Sequence, residues 1–348
     1  RMKVNITKQS QLKNIDFNNL DFGRIFTDHM LICDFDGEKW GEYSIEPLAS
    51  IPMHPATSVL HYGQAIFEGL KGYRCDNDKI NIFRLRDNLK RMNISAERMQ
   101  MPQFEVNEAY EAIEEFVRVE RGWVPNSEQG SLYIRPFMIS TDLTLKALSS
   151  KSFRFMVIAC PVGFYYNKPL NIYVEKNHRR AAAGGVGYAK AAGNYAASFY
   201  PTEKAKAAGF DQVLWTDITN NFSLEELGSA NFFYVKNNEI YTPALHDSIL
   251  KGITRNTLIQ IARAKGINVN EVEISADQFV LDLEAGLVQC MFATGTAAAV
   301  TYVDGVTIDD VKYDVSSHNF NMINQLTDDL NGYKLLKSED TQGWNAIV

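Results

Sequence analysis

Apolar residues recur along the first half of the chain with two different periods. Residues 85–99 place them three or four positions apart, which predicts a helix with one buried face. The positions that carry this spacing are Leu85, Leu89, Met92, Ala96 and Met99. Residues 110–117 repeat the pattern and predict a second helix that ends near Gly122. Two continuous apolar runs, at 131–139 and 153–160, instead predict buried strands.

The second half of the chain alternates in the same manner. An apolar run at 212–216 predicts a strand, and residues 254–265 predict a helix. The Asn-Asn pair at 237–238 and the Asp-Gly pair at 304–305 each predict a hairpin turn. Strand-like and helix-like segments follow one another without an internal repeat, so the predicted fold class is α+β or mixed α/β.

Length and composition indicate a globular protein of more than one domain. The chain has 348 residues, and domains average about 150 residues, so we expect two. The Pro- and Gly-containing loop at 161–169 is the expected boundary between them. A hydrophobic content of 45% with 22% charged residues excludes a disordered or fibrous chain.

The net charge indicates which kinds of binding partner are unsuitable for this protein. The sequence has 35 Lys and Arg residues against 42 Asp and Glu, a formal net charge of −7. Nucleic-acid and anionic-membrane binders need a basic surplus, so we expect no nucleic-acid and no membrane partner. The four cysteines lie far apart without a Cys-x-x-Cys pair. We therefore expect no metal site, no disulfide framework and a cytoplasmic location.

One lysine, Lys190, lies within an unusually glycine- and alanine-rich stretch at 184–194. The stretch is not a phosphate-binding P-loop, because Ala189 precedes the lysine and Ala191 follows it where Gly and Ser or Thr are needed. A partly desolvated lysine is nucleophilic and forms a Schiff base with an aldehyde cofactor such as pyridoxal phosphate. The alternative interpretation is a surface lysine beside a flexible loop.

A pyridoxal phosphate site needs two further parts, a cup for the phosphate and an anion at the pyridine nitrogen. Candidates for the cup are the helix start at 252–255 and the segment 293–299, which follows a predicted strand. Glu225 and Glu226 are candidates for the anion. Taken alone, each feature is also explained by a helix cap, a turn or solvated loop charge. The order of lysine, glutamate and phosphate segments favours the cofactor site.

Taken together, these segments resemble the branched-chain amino acid aminotransferase family, which consists of fold-type IV pyridoxal-phosphate enzymes. The resemblance covers about residues 20–335, with its motifs in order. They are LHYGQAIFEGLKGYR at 60–74, NLKRM at 88–92, YIRP at 133–136, AGNY at 192–195, ELGSAN at 226–231, GITR at 252–255 and TGTA at 294–297. The resemblance implies a fold like that of D-amino acid aminotransferase. It has a small N-terminal α+β domain over 1–163, a linker over 164–176 and a larger cofactor-binding domain over 177–348.

The resemblance also implies a role for each residue that matches a family motif. Lys190 would carry the cofactor as a Schiff base and move a proton to and from the substrate Cα. The implied cofactor residues are Glu226 at the pyridine nitrogen, Tyr195 at the ring hydroxyl, and Arg91, Arg180, Ile253, Thr254 and Thr294 at the phosphate. The implied substrate residues are Tyr62, Thr296 and Ala297 for the carboxylate, Phe67, Tyr133 and Tyr165 for an apolar side chain, and Arg135 for a second carboxylate.

The implied reaction is a ping-pong transfer of the amino group between L-leucine, isoleucine or valine and 2-oxoglutarate. Small amino acids and 2-oxo acids are then the expected partners, in a homodimer with its active site near the interface. D-Amino acid aminotransferase and aminodeoxychorismate lyase share the lysine, glutamate and phosphate features, and so remain alternatives. A non-catalytic protein that binds a phosphate ligand is a further one. The motifs at 133–136 and 193–195 favour the branched-chain group.

Overall fold

The structure is a computed structural model that describes residues 2–164, 168–297, 299–315 and 320–348. These residues form two compact units. The first unit consists of the chain through Phe164 together with Ala189–Gly193 and Gly332–Val348, and the second consists of 168–188 and Asn194–Asn331. The predicted division into 1–163, 164–176 and 177–348 differs from this grouping, because two later segments belong to the first unit.

The first unit is built on a largely antiparallel sheet of nine strands, counted over the described residues. Eight strands follow one another across the sheet in the order Lys3–Val4, Ser44–Pro47, His29–Phe35, Phe153–Gly163, Gly130–Ser140, Leu70–Arg74, Ile80–Phe83 and Asn345–Ile347. The ninth strand, Ala65–Phe67, pairs with Gly130–Ser140. Asn345–Ile347 pairs antiparallel with Ile80–Phe83, and this long-range pairing brings the C-terminal segment into the first unit.

Helices cover this sheet as the hydrophobic spacing predicts. The helices are Val59–Tyr62, Leu85–Arg98 and Val106–Val119, with short 3₁₀ turns at Leu12–Asn14, Asp76–Asp78 and Arg121–Trp123. The two long helices bury their apolar faces in one core with the sheet, as Leu89 and Phe116 show by their complete or nearly complete burial. Both predicted helices and both predicted strands of this half are confirmed.

The second unit contains a mixed sheet of nine strands among its described residues. Eight of them are ordered Leu224–Leu227, Gln212–Thr216, Leu170–Glu175, Ala299–Ile308, Val288–Gly295, Asn231–Lys236, Glu239–Pro243 and Val269–Val272, and Val311–Asp314 pairs with Ala299–Ile308. The remaining helices of the chain are Ala192–Ala207, Ile253–Ala264, Ala276–Glu284 and Asn321–Lys334. The mixture of helices with two separate sheets confirms the predicted fold class. Within the described ranges no helix is both long and apolar enough to cross a membrane.

One of the two predicted hairpin turns is confirmed and the other is wrong. Asn237 and Asn238 have φ of 52° and 57° and join two antiparallel strands. Residues 304–305 instead lie inside the continuous strand Ala299–Ile308, which turns only at 309–310. Gly305 is opposite Asn171, whose Oδ1 lies 2.3 Å from where a Cβ on Gly305 would be. This glycine therefore serves a close approach between strands rather than a turn.

Candidate functional site

In the first unit, the backbone of Lys190 is fixed on both sides of its peptide. Its N–H donates to Ser95 Oγ at 2.9 Å, and its carbonyl accepts from the Phe67 N–H at 3.1 Å. Ala191 forms a β-bridge with Ile66. Ala189 and Ala191 are both buried. The two alanines next to the lysine are therefore packed in the fold and its backbone is held by hydrogen bonds, so the interpretation as a surface lysine beside a flexible loop does not hold.

The Lys190 side chain reaches one of the predicted substrate residues. Its Nζ lies 4.7 Å from the centroid of the Phe67 ring, and Arg135 Cζ lies 4.5 Å from the same centroid. Arg135 Nη2 also donates to the Tyr133 hydroxyl at 3.0 Å. The structure thus brings together Lys190, Phe67, Tyr133 and Arg135. The Phe67 ring attracts both cations electrostatically through its quadrupole.

Arg135 has a hydrogen-bonding atom left over. Its Nε is buried, and no acceptor for it occurs among the described residues. A buried donor without an acceptor costs about 1–3 kcal/mol unless a ligand or water satisfies it. This N–H can therefore bind an oxygen of an anionic ligand.

A glycine that the sequence analysis did not select makes this cluster possible. A Cβ on Gly69 would lie 2.0 Å from the Tyr133 hydroxyl oxygen and 2.8 Å from Tyr133 Cζ. Any larger residue at this position would displace the tyrosine that holds Arg135. The glycine lies in the quoted motif at 60–74, but only the three-dimensional contact shows its purpose.

Arg91 is tied to a second residue that the sequence analysis did not select. Its Nε and Nη2 donate to the two carboxylate oxygens of Glu68, at 2.8 and 2.6 Å, and both side chains are buried. A bidentate pair fixes the plane of the guanidinium as well as its position. Arg91 is thereby oriented, and its assignment to the phosphate stays a prediction.

Tyr62 ends the short helix Val59–Tyr62, and its side chain is 46% exposed. Its hydroxyl donates to the carbonyl of Leu145, in a loop outside the cluster around Phe67. Within the first unit, the Tyr62 hydroxyl is thus bonded away from Phe67, Tyr133 and Arg135. Tyr165, the remaining aromatic residue predicted for the pocket, lies outside the described residues.

In the second unit, Glu226 is held as a buried anion. It lies on the strand Leu224–Leu227, where its Oε1 accepts from the Leu250 N–H at 2.8 Å and lies 3.1 Å from Arg180 Nη1. Arg180 also donates to the carbonyls of Gly187 and Ser248. The cation and the amide N–H both stabilise negative charge on this carboxylate. Arg180, predicted at the phosphate, is here the ion-pair partner of Glu226.

The adjacent carboxylate, Glu225, is buried as well, with an exposure of 1%. Its Oε1 accepts from Ser248 Oγ at 2.7 Å, and its Oε2 has no partner among the described residues. Burial raises the pKa of Glu225 to about 7, the neighbouring Glu226 charge adds to this rise, and the Ser248 hydrogen bond opposes it. The interpretation of residues 225 and 226 as solvated loop charge is therefore wrong.

The predicted phosphate residues of the second unit converge on one asparagine. Asn231 is the strand partner of Glu226 on one side and of Thr294 on the other. Its Nδ2 donates to the Leu250 carbonyl at 3.1 Å, and its Oδ1 lies 2.0 Å from where a Cβ on Gly252 would be. The helix that contains Ile253 and Thr254 starts immediately after Gly252. Asn231 therefore links this helix start to Glu226 and Thr294.

Thr294 has a hydroxyl that suits a phosphate oxygen. It is 1% exposed, and its Oγ1 is without a hydrogen-bond partner among the described residues. Thr296 and Ala297 follow in the turn after the strand Val288–Gly295. Tyr195 lies half-buried on the helix Ala192–Ala207. The described part of the chain contains no group of three or more His, Cys, Asp or Glu side chains arranged to hold a metal.

Comparison with known proteins places these residues in a family context. The family described as Amino-transferase class IV matches residues 65–304. The chain is 46% identical over 298 residues to branched-chain-amino-acid transaminase 1 of Bacillus subtilis, covering 84% of each chain. It is 41% identical over 353 residues to a probable branched-chain-amino-acid aminotransferase of Staphylococcus epidermidis, covering 99% of this chain and 98% of the relative.

Solved structures of similar fold are also branched-chain aminotransferases. The branched-chain amino acid aminotransferase of Escherichia coli superposes with a TM-score of 0.74 at 26% identity, covering 91% of this chain and 98% of the other. The branched-chain aminotransferase of the thermophilic archaeon Thermoproteus uzoniensis, solved with norvaline, gives a TM-score of 0.75 at 25% identity. It covers 92% of this chain and 99% of the other.

Proposed function

The chain belongs to the class IV aminotransferases, and among them to the branched-chain amino acid aminotransferases, and from this premise we propose how its residues perform the reaction. The enzyme uses pyridoxal phosphate to transfer an amino group between a branched-chain L-amino acid and 2-oxoglutarate. The comparisons do not favour the D-amino acid aminotransferase, the aminodeoxychorismate lyase or the non-catalytic alternative.

The residues of the second unit fit the cofactor chemically. Thr294 has a buried hydroxyl with no hydrogen-bond partner among the described residues. This hydroxyl is the observation that carries the fit, because a phosphate oxygen would accept its hydrogen bond. The helix start at Ile253 and Thr254 adds backbone N–H groups and the positive end of a helix dipole. Glu226 offers a buried anion to the pyridine nitrogen. Tyr195 is assigned to the ring hydroxyl and Arg91 to the phosphate. Arg180, which pairs with Glu226, is assigned to that carboxylate instead of the predicted place at the phosphate.

When bound, pyridoxal phosphate supplies an aldehyde for covalent attachment and a protonated ring that withdraws electrons from the substrate Cα. Lys190 would hold the cofactor through its amine. The same amine would serve as the base and acid that moves the proton at the substrate Cα. The Ser95 hydroxyl accepts from the Lys190 N–H, and the Phe67 N–H donates to the Lys190 carbonyl. These two hydrogen bonds keep the lysine backbone in place while its side chain changes position.

The substrate residues must accept a leucine side chain and the second carboxylate of glutamate in alternate half-reactions. Phe67 and Tyr133 supply apolar surface for the first. The buried Nε of Arg135, which lacks an acceptor among the described residues, supplies a charged donor for the second. Tyr62, Thr296 and Ala297 are assigned to the carboxylate that both substrates share, and Tyr165 to the apolar pocket.

The lysine assignment is tested by visible absorption of the purified protein with added pyridoxal phosphate. L-Leucine should abolish the band of the covalently attached cofactor, and 2-oxoglutarate should restore it. Lys190→Ala should lose this response and turnover by several orders of magnitude, because the variant lacks the amine that attaches the cofactor and moves the Cα proton. Lys204→Ala, an exposed lysine of the helix Ala192–Ala207, is the matched control and should behave as wild type. A Lys190→Ala variant with near-normal turnover excludes the assignment.

We further propose that the chain forms a homodimer. Leu143, Leu145 and Leu148 are 63–67% exposed, and this loop accepts the hydrogen bond from Tyr62. Exposed apolar clusters of this kind are typical of protein interfaces. Sedimentation equilibrium should give twice the chain mass, and Leu145→Ser combined with Leu148→Ser should weaken the dimer. Leu281→Ser, at an exposed leucine of the second unit, is the control. A wild-type monomer at micromolar concentration contradicts the proposal.

A cytoplasmic location is the remaining proposal. All four cysteines are unpaired, and three of them are buried. Burial raises the pKa of the Cys33 and Cys290 thiols to about 12, so these thiols stay protonated and unreactive at neutral pH. Such thiols are ordinary in a reducing compartment. Cell fractionation should recover the protein with soluble cytoplasmic markers, and recovery from a secreted fraction contradicts this.

A further inference from the structure

A hydrogen-bonded chain of three side chains runs from the buried Glu225 to the surface of the second unit. Ser248 Oγ lies 2.7 Å from Glu225 Oε1 and 2.7 Å from His246 Nδ1. Glu225 and Ser248 are buried, whereas His246 is exposed. A hydroxyl between a carboxyl group and an imidazole can donate to either one while it accepts from the other. The chain can therefore carry a proton in both directions.

The outer end of this chain opens to solvent. Glu225, Ser248 and His246 line a cavity of about 430 Å³, together with Asp217 and Glu273. Such a volume accommodates several water molecules, and the polar side chains in its otherwise largely apolar wall give them partners. Water in this cavity can exchange protons with His246.

The inner end of the chain adjoins the Glu226 ion pair. The loop that carries His246 and Ser248 also provides the Leu250 N–H to Glu226 at 2.8 Å and the Ser248 carbonyl to Arg180 at 3.1 Å. One loop thus contacts both carboxylates and the arginine. A change in the charge of Glu225 acts on Glu226 and Arg180 at close range.

Charged groups on every side of Glu225 affect how easily it ionises. Glu226 on its own strand and Asp217 at the end of the neighbouring strand disfavour its ionisation, and Arg180 favours it. His246 contacts it through Ser248. Glu225, Glu226 and Arg180 together are neutral as long as Glu225 holds its proton. Burial supports this protonated form, because it raises the pKa of Glu225 to about 7.

We propose that Glu225, Ser248 and His246 form a proton relay that adjusts the charge beside Glu226 when the protonated pyridine nitrogen binds there. The ring nitrogen adds a second positive charge next to Arg180, and ionised Glu225 compensates it. The Glu225 O–H bond breaks as its proton passes to Ser248 Oγ, the original Ser248 O–H bond breaks, and that proton forms an N–H bond at His246 Nδ1. His246 then releases its other ring proton to water. The three are positioning residues, and the inference rests on the proposed role of Glu226.

The relay predicts a proton count that differs between variants. Calorimetric titration of the apoprotein with pyridoxal phosphate at pH 6, in buffers of different ionisation enthalpy, gives the number of protons released. Wild type should release more protons than Glu225→Gln, by at most one, because Glu225 is mainly protonated at this pH before binding and His246 retains part of the released proton. Ser248→Ala should approach Glu225→Gln, since the ionised carboxylate loses the hydroxyl that donates to it. Protons released by covalent attachment are common to all variants and cancel in the comparison.

Two controls separate the possible failures. Ser223→Ala removes a similar bond, from Ser223 Oγ to Glu273 in the wall of the same cavity, and should match wild type. If Glu225→Gln and wild type release equal numbers of protons while Glu226→Gln changes the cofactor spectrum, the relay is excluded and the proposed function stands. If Glu226→Gln leaves both spectrum and proton count unchanged, the assignment of Glu226 fails and the relay fails with it.

A measurement on the unaltered protein guards against a variant that does not fold. The ring signals of His246, assigned by comparison with His246→Gln, are titrated by NMR with and without pyridoxal phosphate. Ionisation of Glu225 stabilises a protonated imidazole, so the pKa of His246 should rise when the cofactor binds. An unchanged His246 titration overturns the relay.

Discussion

Replacement of Glu225 by Gln in the apoprotein should alter stability in a pH-dependent way. Burial raises the pKa of Glu225 from its ordinary value of 4.5 to about 7 in the folded state. Between these values the folded protein therefore binds more protons than the unfolded chain. The stability that protonated Glu225 contributes is full below pH 4.5 and is lost as the pH rises to about 7. Glutamine resembles the protonated carboxyl group and does not titrate.

The size of this effect follows from the pKa difference. One pKa unit corresponds to about 1.4 kcal/mol, so the full displacement is worth about 3 kcal/mol. Relative to wild type, Glu225→Gln should gain about this much unfolding free energy between about pH 4.5 and about pH 8. Denaturant unfolding of both proteins across this range, followed by a spectroscopic probe of the second unit, measures the gain. Trp215, which is fully buried in that unit, is a suitable fluorophore.

Glu273→Gln is the control for this experiment. Glu273 is an exposed carboxylate in the wall of the same cavity, so its hydration is largely kept on folding. The unfolding free energy of Glu273→Gln should differ from that of wild type by the same amount at every pH in this range. Parallel curves for wild type and Glu225→Gln would instead show that the Glu225 carboxylate is solvated or paired when folded. The argument from its burial would then be refuted.

Two further predictions concern the first unit. Gly69→Ala should lower stability by about 1–3 kcal/mol and reduce kcat/KM, because the added Cβ displaces Tyr133. Gly72→Ala, whose Cβ would have only ordinary contacts of 3.6 Å or more, is its control, and equal behaviour of the two in unfolding and kinetics contradicts the prediction. Glu68→Gln should lower stability by about 3 kcal/mol, because it removes the carboxylate charge that pairs with the buried Arg91 guanidinium. A loss below about 1 kcal/mol in denaturant unfolding indicates that another group compensates Arg91.

The sequence predicted best those features that depend on local periodicity. The helices Leu85–Arg98 and Val106–Val119 lie where the apolar spacing indicates, because one face of each packs on a sheet. The strand Gln212–Thr216 has the predicted bounds, since a continuous apolar run suits a strand whose residues are nearly all buried. The position of Lys190 beside small residues was visible in the sequence, and the two alanines next to it are buried at a bridge to the sheet.

Features that depend on contacts between distant segments could not be predicted in this way. Local sequence does not show that Gly305 faces Asn171 on the neighbouring strand, so the Asp-Gly pair at 304–305 predicts a turn that the structure does not contain. Two adjacent glutamates are typical of solvated loop charge when only local sequence is considered. Ser248 and Arg180, which are distant in sequence, stabilise Glu225 and Glu226 in their buried positions. The C-terminal strand Asn345–Ile347 likewise pairs with residues more than 260 positions away.

Arg91 and Arg135 differ in how completely their hydrogen-bonding groups are satisfied. This difference suits the proposed roles of the two residues, one at a bound cofactor and one at substrates that exchange. The Arg91 guanidinium is fixed by both oxygens of Glu68, which suits a group that holds a resident cofactor through the whole cycle. Arg135 keeps one buried N–H without an acceptor in the described part of the chain, a cost of about 1–3 kcal/mol that a substrate carboxylate would remove on binding. A ping-pong enzyme must accept an apolar and an acidic side chain in turn. In the proposed assignment, a donor satisfied by only one of the two substrates would raise the affinity for the acidic one, while the Phe67 ring beside it would receive the apolar one.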